Sequence, residues 1–141
     1  MMDNFEYDSN LIASMIVTEA GSANLNSDEM AAMAWVVRNR LKPLKGESFT
    51  RGEGETDVEK IIRTPNAFLG VTDLKDRFDN PKKDHLNKYN MALDITKKVL
   101  KNKIKDPTNG AYFFNQDKGK GPPSLNFGRL KIGSHYFRRD F

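Results

Sequence analysis

Glu19 is the residue whose surroundings in the sequence point most directly to chemistry. It shares one face of a predicted helix with Ile12, Met15 and Ile16, and Gly21 ends that helix soon afterwards. A carboxyl group on an apolar face is partly removed from water, which raises its pKa and keeps it protonated near neutral pH. Such a glutamate can donate a proton to a departing sugar oxygen. A solvent-facing residue at a helix end is the alternative interpretation of this position.

Other residue types that commonly carry catalysis form no recognisable site. The two histidines, His85 and His135, are far apart and have no Glu or Cys at ligand spacing, so we predict no metal and no cofactor. The chain has no cysteine, and no serine lies in a Gly-x-Ser-x-Gly elbow. His135 shares a strand face with Gly133 and Phe137, where it could orient a catalytic group or bond a backbone carbonyl.

Composition and charge restrict the class of protein. The 141 residues, 38% of them hydrophobic, suit one compact domain over residues 1–141. The net charge of +4 favours polyanionic partners. The lysines between Lys97 and Lys105 lie on a helix beside apolar positions, so a solvated face is expected rather than a nucleic-acid site. No apolar run approaches the ~20 residues that cross a bilayer, so no membrane insertion is expected.

Hydrophobic periodicity predicts four helices that would position Glu19. They are expected near Ser9 to Ala20, from Asn26 to before Pro43, from Thr56 onward, and from Asp84 to about Lys103. The second helix begins with a capping box of Asn26 and Glu29. The third begins with a capping box of Thr56 and Glu59. The buried faces are expected at Met30, Ala34, Val37 and Leu41 of the second helix, and at Leu86, Tyr89, Leu93, Thr96 and Leu100 of the fourth.

The C-terminal third changes from helical to strand character. Ala111 to Asn115 and Leu130 to Arg138 carry aromatic and branched residues, and the turn-forming stretch from Asp106 to Gly110 precedes them. These segments predict a small antiparallel sheet near the C-terminus. The fold class is therefore α+β and mainly helical.

Five separated segments resemble one known family in their order and spacing. They are Val17 to Gly21, the alanine-rich stretch Met30 to Arg40 with its terminal Asn-Arg, the pair Ala67-Phe68, Asp106 to Asn115, and Ile132 to Phe137. The family is that of the SleB/CwlJ-type cell-wall hydrolases, which act on peptidoglycan glycan strands. The resemblance implies a small domain related to lysozyme-like transglycosylases, with Glu19 at the family's catalytic glutamate. The loop from Ser22 to Glu29 departs from the family pattern.

The number of available carboxylates bears on the type of cleavage. A two-carboxylate glycosidase needs a second acid at a set distance from the first. Asp106 fits a turn, Glu29 a helix cap and Asp57 a first helical turn, so no second acid stands out. A lone glutamate suffices for a lytic transglycosylase, in which it is first an acid and then a base. We therefore expect a lytic transglycosylase acting on the MurNAc-GlcNAc bond, with a muramidase as the alternative.

Several other residues are candidates for binding the sugar chain. Phe68, Tyr112 and Phe114 could stack on sugar rings, although aromatic residues at such positions usually belong to the core. Asn115 offers a donor and an acceptor to an N-acetyl group. His135 is included with them as a substrate-binding candidate. A catalytically silent module that binds cell wall or nucleic acid is the competing hypothesis, and steep salt dependence would mark nucleic-acid binding.

The start of the chain bears on localisation. Met1 to Tyr7 carries acids where a signal peptide needs a basic region, so we expect synthesis in the cytoplasm without a signal peptide. Action at the bacterial cell wall then requires a holin, a phage particle or a secretion system. A phage endolysin or tail enzyme is the first expectation, an injected toxin the second and a sporulation enzyme the third. A delivery apparatus and an inhibitor protein are the further partners that these routes allow.

Overall fold

A computed structural model describes residues 4–20, 25–42, 48–64, 86–115 and 130–138. Within these ranges the helices are α1 (Asn4–Ala20), α2 (Ser27–Arg40), α3 (Asp57–Ile62) and α4 (Leu86–Leu100). The strands are β1 (Phe113–Asn115), β2 (Leu130–Ile132) and β3 (His135–Arg138). The prediction of an α+β fold with a small antiparallel sheet near the C-terminus is confirmed. No helix in the described ranges is long and apolar enough to cross a membrane.

Helix α2 lies at the centre of the molecule. It packs against α1, α3 and α4 and also contacts β1 and β2. The predicted buried residues Met30, Ala34 and Val37 are at most 1% exposed, whereas Leu41 is half-buried. Apolar side chains from the other three helices pack with those of α2 in one core.

Helix α1 is longer than predicted, and α4 follows its predicted buried face only in part, since Leu93 and Leu100 are half-buried. Helix α1 begins at Asn4 rather than near Ser9, because the Ser9 hydroxyl donates to the Phe5 carbonyl one turn back instead of capping a new helix. In α4, Tyr89 and Thr96 are buried as predicted. Leu86 is 43% exposed, so the prediction that it lies in the core is wrong. Leu86 is the first residue of α4.

The predicted capping boxes mark the starts of α2 and α3 correctly. In each box, however, only one of the two expected hydrogen bonds forms. The side chains of Asn26 and Thr56 accept hydrogen bonds from the backbone N–H groups of Glu29 and Glu59, at 2.7 and 3.1 Å. The reciprocal hydrogen bond, from the backbone N–H of the cap residue to the glutamate side chain, is absent at both of these helix starts. Glu59 accepts from the backbone of Glu55 instead, and Glu29 turns towards the C-terminal sheet. The predicted role of Glu29 as a capping carboxylate is therefore wrong, because stronger donors reach it from a distant segment.

The sheet has the order β1-β3-β2, and both pairings are antiparallel. The stretch predicted as one strand region from Leu130 to Arg138 is a tight hairpin, with Gly133 and Ser134 between β2 and β3. Gly133 has a φ of 61°, which glycine adopts readily at the first position of a two-residue hairpin loop. The buried side chains of β3 are His135 and Phe137, as the predicted alternation requires.

Candidate functional site

Glu19 lies in the last turn of α1, at the edge of the core. Its side chain is half-buried, while Met15 and Ile16 on the preceding turn are at most 1% exposed. The predicted apolar face of α1 is thus present beneath the carboxyl group. The negative charge of Glu19 acts on Arg40, the last residue of α2.

Arg40 is the buried cation of this site. The residue is 5% exposed, and its Nε donates to the backbone carbonyl of Tyr112 at 2.7 Å. Burial lowers the pKa of Arg40 to about 10, and the negative charge of Glu19 acts in the opposite direction. The guanidinium stays protonated at neutral pH, so Arg40 is a buried positive charge on which Glu19 acts electrostatically.

Aromatic rings surround the guanidinium of Arg40. Its Cζ lies 5.0 Å from the ring centre of Phe49 and 5.5 Å from that of Phe113. Phe49 also stacks on Tyr112, with ring centroids 5.7 Å apart and an interplanar angle of 19°. Phe49 and Phe113 were not predicted from the sequence to belong to the site, since the aromatic candidates were Phe68, Tyr112 and Phe114.

The turn before β1 attaches that strand to the end of α2. Asp106 accepts hydrogen bonds from Thr108 and from the backbone N–H of Gly110, which confirms its predicted role in the turn. The Asn39 amide donates to Asp106 Oδ2 at 2.9 Å and to the Ala111 carbonyl at 3.0 Å. These bonds fix the segment that presents the Tyr112 carbonyl to Arg40.

A second polar cluster joins α2 to the β2–β3 hairpin. Glu29 and His135 are each 1% exposed, and Glu29 Oε2 lies 2.5 Å from His135 Nδ1. The same oxygen accepts from the backbone N–H of Ser134 at 2.8 Å and from its hydroxyl at 2.7 Å. Burial raises the pKa of Glu29, but the hydrogen bonds from His135 and Ser134 outweigh it, so the pKa is lowered. Glu29 is therefore held as a carboxylate.

The predicted sugar-binding residues fall into different environments. Tyr112 is 5% exposed and contributes its carbonyl to Arg40. Phe114 is half-buried, with its ring centroid 5.6 Å from that of His135, so it belongs to the second cluster. Asn115 is the last residue of β1 and pairs with Tyr136. Phe68 lies outside the described residues. Within the described ranges, no group of three or more His, Cys, Asp and Glu residues could hold a metal ion.

Comparison with known protein families identifies a match for most of this architecture. The model of the Cell Wall Hydrolase family matches residues 26–138. This range contains Arg40 and Tyr112, as well as the cluster of Glu29, Ser134 and His135. It begins after Glu19, so the match itself gives no role to that residue. Comparisons with curated proteins and with solved structures gave no match. Because the family model covers well over half of the sequence, the chain belongs to the cell wall hydrolase family.

Proposed function

We propose that this protein cleaves the MurNAc-GlcNAc bond of peptidoglycan and that Glu19 is its general acid. Membership of the cell wall hydrolase family supports an enzyme that acts on peptidoglycan. The observation that supports Glu19 is its position, half-buried above the apolar face of α1 formed by Met15 and Ile16. A carboxyl group that is shielded from water, yet only half-buried, can hold a proton and still meet a substrate.

We further propose that the reaction is that of a lytic transglycosylase. Glu19 donates its proton to the glycosidic oxygen as the bond to C1 of MurNAc breaks. The resulting carboxylate then accepts the proton of the muramyl 6-hydroxyl, whose oxygen bonds to C1 and closes an anhydro ring. Glu19 returns to its protonated form, so the cycle needs no other acid or base.

Three other acidic residues already have hydrogen-bond partners, and this supports a mechanism that uses a single carboxylate. Glu29 is buried under His135 and Ser134, and Asp106 is committed to its turn. Glu59 accepts hydrogen bonds from Arg63 and from the Glu55 backbone. In the described parts of the chain, these acids already have partners and are poorly placed to activate a water molecule at a sugar. A muramidase would need such a second acid in most mechanisms.

Sugar binding is assigned to two kinds of residue. We propose that Phe68, Phe114 and Asn115 contact the glycan, by stacking or by hydrogen bonds to N-acetyl groups. Tyr112 and His135 are at most 5% exposed, so we propose that they support the binding surface through Arg40 and Glu29. Delivery to the wall by a holin, a phage particle or a secretion system remains part of this proposal.

The deciding experiment compares wild type, Glu19→Gln and Glu6→Gln on purified sacculi. Glu6 lies on the same helix, 42% exposed at its side chain and paired with Lys97, so Glu6→Gln is a matched control. Soluble muropeptides are identified by mass spectrometry. We expect anhydro-ended products from wild type and Glu6→Gln and at least a hundredfold loss with Glu19→Gln.

Each other outcome contradicts a defined part of the proposal. Products with reducing ends would make the enzyme a muramidase and would require a second acid. Undiminished release by Glu19→Gln would remove Glu19 from the mechanism. No release by folded wild type would favour a module that binds the wall without cutting it.

A further inference from the structure

The outward side of the C-terminal sheet carries aromatic rings and cations. Buried and half-buried residues alternate along β3, and the half-buried ones are Tyr136 and Arg138. Lys131 of β2 lies opposite Tyr136, and Phe113 of β1 lies opposite Arg138. The side chains of directly paired residues lie on the same side of a sheet. Phe113, Lys131, Tyr136 and Arg138 therefore form one surface, which we call the outer face.

Each cross-strand pair of the outer face places a cation over an aromatic ring. The Arg138 Cζ lies 4.7 Å from the centre of the Phe113 ring. The Lys131 Nζ lies 5.5 Å from the centre of the Tyr136 ring. The negative face of an aromatic ring attracts a cation at such distances. These contacts restrict two long side chains, so less side-chain entropy is lost when their charges meet a ligand.

The strands that carry the outer face are anchored in the rest of the molecule. The hairpin between β2 and β3 is bonded to α2, because the Ser134 backbone N–H donates to Glu29 at 2.8 Å. The Tyr112 backbone N–H donates to the Arg138 carbonyl at 3.0 Å, which continues the pairing of β1 with β3. A ligand of the outer face therefore meets a surface whose backbone is already fixed.

The strands of the outer face contribute positive charge and no negative charge. None of the residues of β1, β2 and β3 is acidic. Lys131 is exposed, and among the described residues no carboxylate lies within ion-pair distance of its ammonium. Lys97 and Lys98 of α4, by contrast, pair with Glu6 and Asp94. The charge of the outer face is therefore complementary to that of an anionic partner.

We infer that the outer face binds the carboxylate groups of the peptide stems along a peptidoglycan strand. This inference rests on the proposed function, which supplies the polymer. Stem carboxylates recur along the strand, so two cations on one fixed surface can each attract one of them. The Tyr136 ring packs against a neighbouring sugar. The outer face takes no part in proton transfer, and its role is to hold the strand while Glu19 acts on it.

The first test measures binding to purified sacculi by co-sedimentation in the cold. Lys131→Gln/Arg138→Gln removes two charges from the outer face. Lys60→Gln/Lys98→Gln is the control with the same change in net charge, on side chains that are 41% and 52% exposed. We expect the outer-face variant to bind about tenfold more weakly than wild type at low salt, and the control to stay within about twofold. Added salt should weaken wild type more than the outer-face variant.

Substitutions of Tyr136 test the aromatic part of the surface. Tyr136→Phe keeps the ring and should bind like wild type. Tyr136→Leu keeps apolar bulk but removes the ring that contacts Lys131 and the sugar, so we expect about fivefold weaker binding. If Tyr136→Leu binds as tightly as wild type, the sugar contact is wrong.

Chemically treated sacculi identify the anion. Sacculi stripped of phosphate polymers should bind wild type as tightly as untreated ones, because the stem carboxylates remain. Amidation of those carboxylates should weaken binding about tenfold. Loss of binding together with the phosphate polymers would overturn the inference. So would a preference for a single-stranded oligonucleotide that the outer-face variant loses.

Muropeptide release, measured separately, distinguishes failure of this inference from failure of the proposed function. If wild type releases muropeptides and Lys131→Gln/Arg138→Gln binds as well as wild type, the inference is wrong and the proposed function stands. If wild type releases none but the double variant loses binding, the proposed function fails and the outer face stands as the surface of a wall-binding module.

The single variant Lys131→Gln covers the case in which the double variant does not fold. Lys131 is exposed, so its replacement leaves the core intact. We expect Lys131→Gln to bind sacculi about threefold more weakly than wild type. Unchanged binding by this variant would overturn the inference.

Discussion

At the scale of single residues, Glu29 is a carboxylate that accepts hydrogen bonds from three donors and has almost no contact with water. Its partners are the Ser134 backbone, the Ser134 hydroxyl and the His135 ring, all on Oε2. A buried carboxylate with such partners is stable, but the loss of its charge leaves donors without an acceptor of equal strength. Glu29 thus fixes the β2–β3 hairpin to the N-terminal turn of α2.

We expect Glu29→Gln to lower the free energy of unfolding by about 2 to 4 kcal/mol. The amide keeps the shape of the side chain, yet it replaces a charged acceptor with a neutral one and adds a donor facing other donors. Urea unfolding followed by circular dichroism measures the change. Asp94→Asn is the control, because Asp94 is 67% exposed at its side chain and pairs on the surface with Lys98. Equal stability of the two variants would mean that the Glu29 bonds contribute little.

At the scale of elements, the C-terminal end of α2 and the turn before β1 behave as one unit. Asn39 binds Asp106 and Ala111, and the next residue, Arg40, binds Tyr112. Asp106→Ala removes the acceptor for Thr108, Gly110 and Asn39 together. We expect it to destabilise the protein by about 2 to 3 kcal/mol and to reduce muropeptide release by about tenfold. Asp94→Ala is the control for both measurements, and loss of stability with full activity would contradict the link to the site.

The β2–β3 turn offers a test with a matched pair of glycines. Gly133 and Gly110 both have positive φ, 61° and 89°, so alanine is strained at either position. A Cβ at Gly133 would collide with the Glu29 carboxylate, whereas at Gly110 no atom of the described residues lies within 4 Å. Backbone strain alone predicts about 1 kcal/mol for Gly110→Ala, and the collision should make Gly133→Ala clearly worse. Similar unfolding midpoints for the two variants would show that the hairpin can move away from Glu29.

At the scale of the whole molecule, the features predicted from the sequence are those set by near neighbours. The cap residues Asn26 and Thr56 marked two helix starts, because an N-cap bonds a group three residues later. The side chain of Glu29 was assigned wrongly, because its acceptor role depends on Ser134, 105 residues further along. Arg40 and Tyr112 are 72 residues apart, so no local pattern could indicate their bond. The resemblance to the cell-wall hydrolases predicted the family of the chain, which hydrophobic periodicity alone could not do.

The stability of the molecule should depend on pH through Glu29. Its pKa in the folded protein lies below the ordinary value of 4.5, because the hydrogen bonds from His135 and Ser134 outweigh the effect of burial. A carboxyl with a lowered folded pKa stabilises the fold above its unfolded pKa, and this contribution disappears as the pH falls through the folded pKa. Wild type should therefore lose stability below about pH 4.5. Glu29→Gln, with no group to titrate there, should show a weaker decline over the same range. Urea unfolding at a series of pH values measures both, and parallel acid limbs for the two proteins would assign the acid sensitivity to other carboxyl groups, such as Glu59.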